Sequence, residues 1–162
     1  VMEILWAPWR MEYVAVSNEK GECIFCPGND RSRDEERLIL YVGDRSIVLM
    51  NRYPYISGHL LVAPVRHVSA LDALADDEKL DLITMVEKCV GILKGVMNPG
   101  GFNVGLNMGR IAGAGVEDHI HFHVVPRWSG DTNYMTVVGE VRVIPEHIRA
   151  TYKKLLPLFH DL

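Results

Sequence analysis

The segment His119-Ile-His-Phe-His-Val-Val125 constrains this chain more than any other. Successive side chains of a β-strand point to opposite faces of a sheet. The alternation therefore predicts a strand with His119, His121 and His123 on one face and Ile120, Phe122 and Val124 on the other. Three unpaired imidazoles bring nothing to a buried strand, so their face needs a polar or ionic partner. A histidine-rich edge strand without further purpose fits less well, because apolar residues separate the histidines and a glycine-rich loop leads into them.

The rest of the pattern predicts an α+β domain on an antiparallel sheet. Strands are expected at 38–42 and 46–50 about a Gly43-Asp44 turn, and at 60–63 and 102–106, with a further strand region at 134–144. Between them, Leu80, Ile83, Val86, Val90, Leu93 and Met97 recur at three and four, the period of a helix burying one face. Asp76 or Asp77 would cap its start and Pro99-Gly100-Gly101 its end. A last helix is expected over about 146–159. Residues 1–20, with Trp6, Trp9 and Tyr13, form an aromatic arm that packs on the body or on a partner subunit, and a C-terminal extension runs from about 127 to 162.

One domain, 1–162, is the expectation from length. A net charge of −4 with scattered Lys and Arg speaks against a nucleic-acid partner. The start of the chain lacks the pattern of a secretory signal, and no apolar run approaches a membrane span. Three cysteines, two of them in Cys23-Ile-Phe-Cys26, suit a reducing compartment, so the expected location is the cytoplasm.

Gly113 and Gly115 lie just before the histidine row, where backbone N–H groups could approach an anion closely. Against phosphorus, a neutral imidazole can attack while a second assists the departing oxygen. His121, in the middle of the row, is the better nucleophile, its other ring nitrogen fixed by a backbone carbonyl. His123 would then touch the phosphate oxygens or the leaving group. On its own pattern His59 reads as a core histidine bonded to backbone before it reads as catalytic, and Asn107 equally as a residue that holds its own loop. Cys23 and Cys26 have the spacing of half a tetrahedral zinc site, for which His67 and His119 are the candidate remaining ligands. A redox pair or two unbound thiols are the alternatives. Cys89, on the helix, is a small buried side chain.

Asn51, Gly58-His59 with Leu60-Leu61-Val62, Pro64, the long helix, Asn107 and the row 119–125 together resemble the histidine triad superfamily over roughly 21–128. The resemblance implies a five-stranded antiparallel sheet with one long helix and a C-terminal helix, continued across a homodimer. It implies a nucleotidyl intermediate on His121, His123 at the phosphate, His59 behind the nucleophile, Asn107 on the phosphate and Asn51 near the sugar. Branches that keep the cysteine pair imply one structural zinc per subunit on Cys23, Cys26, His67 and His119.

The 125–134 stretch and the arm at 5–11 look most like prokaryotic diadenosine tetraphosphate phosphorylases and ATP adenylyltransferases. That likeness implies adenine nucleotides or dinucleoside polyphosphates as substrates, with inorganic phosphate as acceptor and ADP and ATP as products. A hydrolase using water, and a nucleotide binder without catalysis, are the alternatives. Arg127, Ser129, Thr132 and Asn133 would hold either the acceptor phosphate or the distal phosphates of the substrate. The family's usual Gly-Gln-Ser/Thr is replaced here by Gly113-Ala-Gly-Val-Glu-Asp118, so backbone donors must grip the anion while Glu117 and Asp118 face away or orient a histidine.

Overall fold

The computed structural model describes residues 23–131, 146–160 and 162. The expected aromatic arm, the 134–144 strand region, Thr132 and Asn133 lie outside the described residues. The elements in chain order are α1 (Asp34–Arg37), β1 (Ile39–Val42), β2 (Ser46–Met50), β3 (Leu60–Pro64), α2 (Asp76–Met97), β4 (Gly101–Leu106), β5 (Phe122–Arg127) and α3 (Ile148–Phe159). The five strands form one antiparallel sheet in the order β1-β2-β3-β5-β4, as the α+β reading requires.

Alternation along the strands divides the interior in two. Val48, Met50, Leu60, Val62, Ile120 and Val124 face α2 and α3 and form the larger core with Leu82, Met85, Cys89, Leu93, Leu155 and Phe159. The hydroxyl of Tyr152 donates to the Ile39 carbonyl at 2.9 Å and fixes α3 to β1. On the opposite face Ile39, Ile47, Leu49, Leu61 and Ala63 pack around Phe25. His123 pairs with Leu61 in the ladder, so the histidines share this second face.

The structure corrects three expectations. β5 begins at Phe122, three residues later than the histidine row, because two carbonyls that a longer ladder would use are taken by imidazoles. His119 Nε2 donates to the Pro64 carbonyl at 2.7 Å, and His121 Nδ1 to the His119 carbonyl at 2.8 Å. In place of Asp76 or Asp77, the residue capping α2 is Ala75, whose N–H donates to the Glu78 carboxylate at 2.8 Å. The buried stripe of α2 runs Leu82, Met85, Val86, Cys89 and Leu93, which leaves Leu80 and Ile83 exposed. That set keeps an unbroken three-and-four spacing, whereas Leu80 and Ile83 belong to a neighbouring row.

Candidate active site and metal centre

The segment before β5 passes between the end of β3 and the cysteine knuckle, and this sets the environment of each imidazole in turn. His119 is fully buried. With its Nε2–H given to the Pro64 carbonyl, its Nδ1 keeps an electron pair that faces Cys23 Sγ at 3.2 Å and Cys26 Sγ at 3.8 Å. His67 Nδ1 lies 3.4 Å from Cys26 Sγ. One ligand atom from each of these four residues falls within 4.8 Å of the others. Zinc bound tetrahedrally at ordinary Zn–S and Zn–N lengths holds its ligands about 3.3–3.8 Å apart, so two thiols and two imidazoles suit that ion once the widest pair draws in by about an ångström. A carbonyl on the far nitrogen is the usual means of aiming a histidine ligand. Burial pushes the Cys23 thiol up to about 11, so a cation is needed to hold that sulfur as a thiolate.

The knuckle itself is closed by the Cys26 N–H on the Cys23 carbonyl at 3.1 Å. From behind, the Arg37 guanidinium donates to the carbonyls of Pro27, Ile24 and Cys26 at 2.9, 3.0 and 2.7 Å. Phe25, between the two cysteines, is directed inward and stacks on His121 with centroids 4.5 Å apart and planes 27° apart. The same ring touches His119 at 5.3 Å. His121 is thus held by two groups of the cysteine end: its face by Phe25 and its Nδ1–H by the carbonyl of His119. Its Nε2 retains the electron pair. Burial lowers the pKa of His121 below the ordinary histidine value.

His123 has a different partner, the fully buried His59. Tyr55 N–H donates to His59 Nδ1 at 3.2 Å, and Asn51 Nδ2 lies 3.3 Å from the same atom. A backbone N–H can only donate, so His59 carries its proton on Nε2 and gives it to His123 Nδ1 at 2.9 Å. His123 in turn carries its proton on Nε2. Burial, and the neighbouring His121, hold the His123 pKa down at about 4. Gly58 makes the approach to His59 possible: its φ is +81° and a Cβ there would meet Met97 Sδ at 2.6 Å.

A family model for the HIT domain matches residues 32–130, a span that takes in His59, His67 and the histidine row and begins after the cysteine knuckle. The chain belongs to the HIT domain family. It is 39% identical to the AP-4-A phosphorylase of Mycobacterium tuberculosis over 95% of this chain and 83% of that one. It is 34% identical to the asymmetrical bis(5'-nucleosyl)-tetraphosphatase of Schizosaccharomyces pombe over 57% of this chain and 50% of that one. The fold is that of a Zn-bound histidine triad family protein from Mycobacterium smegmatis, with a TM-score of 0.62, 19% identity and 93% of each chain covered.

The remaining candidates of the HIT site divide. His59 stands behind His123, its hydrogen-bond partner, where the resemblance implied a place behind His121. Asn51 is occupied within its own loop, its Oδ1 accepting from Tyr53 N–H at 2.9 Å. Asn107 Nδ2 donates to the Gly113 carbonyl at 3.3 Å and so holds the glycine loop. Gly115, Glu117, Asp118 and Ser129 are exposed. Arg127 sits four residues beyond His123, roughly 13 Å along an extended strand. Its guanidinium grips both carboxylate oxygens of Asp131, at 2.6 and 2.8 Å, and Asn103 Oδ1 at 2.7 Å, so the structure does not bring it to the histidines.

Sequence reasoning missed Phe25, Arg37 and Tyr55. The aromatic residue inside the Cys-x-x-Cys spacing was the one available signal. Arg37 and Tyr55 act through contacts that no local pattern encodes. The Tyr55 ring lies over His59 at 4.6 Å and beside His123 at 5.9 Å.

Proposed function

We propose that this HIT chain transfers the adenylyl group of diadenosine tetraphosphate to inorganic phosphate through a covalent nucleotidyl-histidine on His121. One observation carries the reading: His121 Nδ1 is committed to the His119 carbonyl at 2.8 Å, which leaves an electron pair on a neutral Nε2. That nitrogen attacks the α-phosphorus, forming an N–P bond. The bond from phosphorus to the bridging oxygen breaks, and ATP departs with the electron pair. His123 donates from Nε2–H to the phosphate or the departing oxygen, its tautomer kept by His59. An oxygen of inorganic phosphate then attacks the adenylyl phosphorus, the N–P bond returns its pair to Nε2, and ADP leaves. No water is consumed.

The 39% identity to an AP-4-A phosphorylase supports phosphate as the acceptor. The likeness to a tetraphosphatase supports the second reading, transfer to water with AMP and ATP as products. Products formed from diadenosine tetraphosphate with and without phosphate decide between them. ADP whose rate of formation rises with phosphate upholds the first reading, and AMP alone at saturating phosphate overturns it.

For the substrate we assign Asn107, Gly113 and Gly115 to the phosphates, and Ser129, Thr132 and Asn133 to the acceptor side. Arg127 is assigned to holding the 127–131 turn, and Asn51 to orienting His59. Zinc on Cys23, Cys26, His67 and His119, one per subunit, ties the knuckle to the histidine row. With four protein ligands such a zinc has no open position and takes no part in the chemistry. A reducing, cytoplasmic compartment suits those thiols. A homodimer is supported by β4, the sheet edge opposite β1, where Asn103, Val104 and Gly105 are exposed. Among the described residues no helix is long and apolar enough to cross a membrane.

A further inference from the structure

We infer that Phe25 is a positioning residue for His121, through which the cysteine knuckle controls the nucleophile; this rests on His121 being the nucleophile. Phe25 has no exposed surface, and its ring lies nearly parallel to the imidazole at stacking distance. An imidazole held by a single Nδ1–H···O=C bond can still turn about that bond, which swings Nε2 through an arc. The Phe25 ring closes one side of the arc. His123, whose ring stands edge-on to His121 at 5.0 Å and 61°, sets a second limit.

Phe25 has no freedom of its own. Cys23 and Cys26 flank it in a turn closed at 3.1 Å, Arg37 pins the carbonyls of the same turn, and it belongs to the buried cluster of Ile39, Ile47 and Leu61. Metal on the two sulfurs would make that turn rigid. Its release would loosen both supports of His121 together, since the second support is the backbone of the ligand His119. A site with no open position for substrate thereby acts on the reaction, by holding an aromatic wall.

The test uses the full chain with Phe25→Leu and Phe25→Ala, beside His121→Ala. Four quantities are read: zinc per chain, the single-turnover rate of covalent nucleotidyl-enzyme formation, KM, and the tautomer of His121 by nitrogen NMR. Both Phe25 variants are expected to keep their zinc. Adduct formation should slow about tenfold or more with KM changed less than about twofold, Leu being milder than Ala. The His121 signals should pass from a single Nδ1–H tautomer to an average of two. If Phe25→Ala fails to fold, Phe25→Leu decides. Adduct formation within twofold of the parent in a folded variant overturns the inference and leaves the nucleophile standing. So does loss of zinc in step with activity, which would make Phe25 merely a support of the cluster. Turnover by His121→Ala instead overturns the reading on which the inference rests.

Discussion

The two ends of the histidine row are built from the same residue type, on the same face, four residues apart, and do different things. At one end, His119 is fully buried, with Nε2 spent on a carbonyl and Nδ1 turned to two sulfurs. At the other, His123 is half-buried, accepts a hydrogen bond from a second imidazole on Nδ1 and so keeps its own N–H on Nε2. The difference lies in which group claims a ring nitrogen, a backbone carbonyl at His119 and the imidazole N–H of His59 at His123. A carbonyl makes the opposite nitrogen a ligand or nucleophile, whereas a donated N–H makes it a donor. His121, between them, is claimed by a carbonyl like His119 but has no sulfur in front of it, so its electron pair is available for chemistry.

The largest expected effect breaks the row at its middle. His121→Ala should lower turnover by at least about 10³-fold, as loss of a central catalytic group does, while nucleotide binding survives. Near-normal turnover would remove the distinction between His121 and its neighbours.

Breaking the metal end should tell in stability before affinity. Cys23→Ser is expected to abolish stoichiometric zinc and to lower Tm by several degrees, with substrate affinity little changed, because metal binding is coupled to folding. Metal analysis of the purified protein with a thermal melt checks this. Freshly purified parent protein without zinc would contradict it.

At the His123 end the comparison is sharpened by pH. A histidine whose pKa is about 4 in the folded chain and near its ordinary 6.5 when unfolded binds fewer protons folded than unfolded across that interval. Its contribution to stability is complete above about pH 6.5 and is lost as pH falls toward 4. Denaturant titrations of the parent and of His123→Asn should therefore converge as pH falls, the variant showing the shallower acid loss. Parallel curves from pH 7 to 4 would contradict it.

A smaller effect is expected at Asn51. Asn51→Ala removes one of two donors onto His59 Nδ1 and leaves the Tyr55 N–H in place. Turnover should fall by roughly three- to tenfold with the zinc content unchanged, an amount set by the net worth of one hydrogen bond. A loss as large as that of His121→Ala would mean that Asn51 touches the substrate.

Much of the architecture was legible because it is periodic. The apolar runs within 46–50 and at 60–63, buried on both faces of the sheet, and the three-and-four spacing of α2 reflect surfaces that must be covered, and the alternation of 119–125 put all three histidines on one side. The ends of elements were less legible. β5 starts late because side chains of His119 and His121 compete for carbonyls, and α2 is capped by Glu78 reaching back to Ala75, neither of which alters a hydropathy pattern. The grouping of Cys23, Cys26, His67 and His119 was legible from the two cysteines, whose spacing is local. The His59–His123 pair was legible as two residues but not as a bond, since 64 positions separate them and only the register of β3 with β5 joins them. Arg127 looked available for an anion because sequence does not show that Asp131, one turn later, already holds it.

The central claim is that the middle histidine, and neither of its neighbours, carries the nucleotidyl group. Rapid quenching of the parent enzyme with diadenosine tetraphosphate in the absence of phosphate, followed by peptide mass spectrometry, tests it most directly. The account predicts an adenylyl group, labile to acid, on His121 alone. Modification of His119 or His123, or steady turnover with no covalent adduct at any quench time, would contradict it.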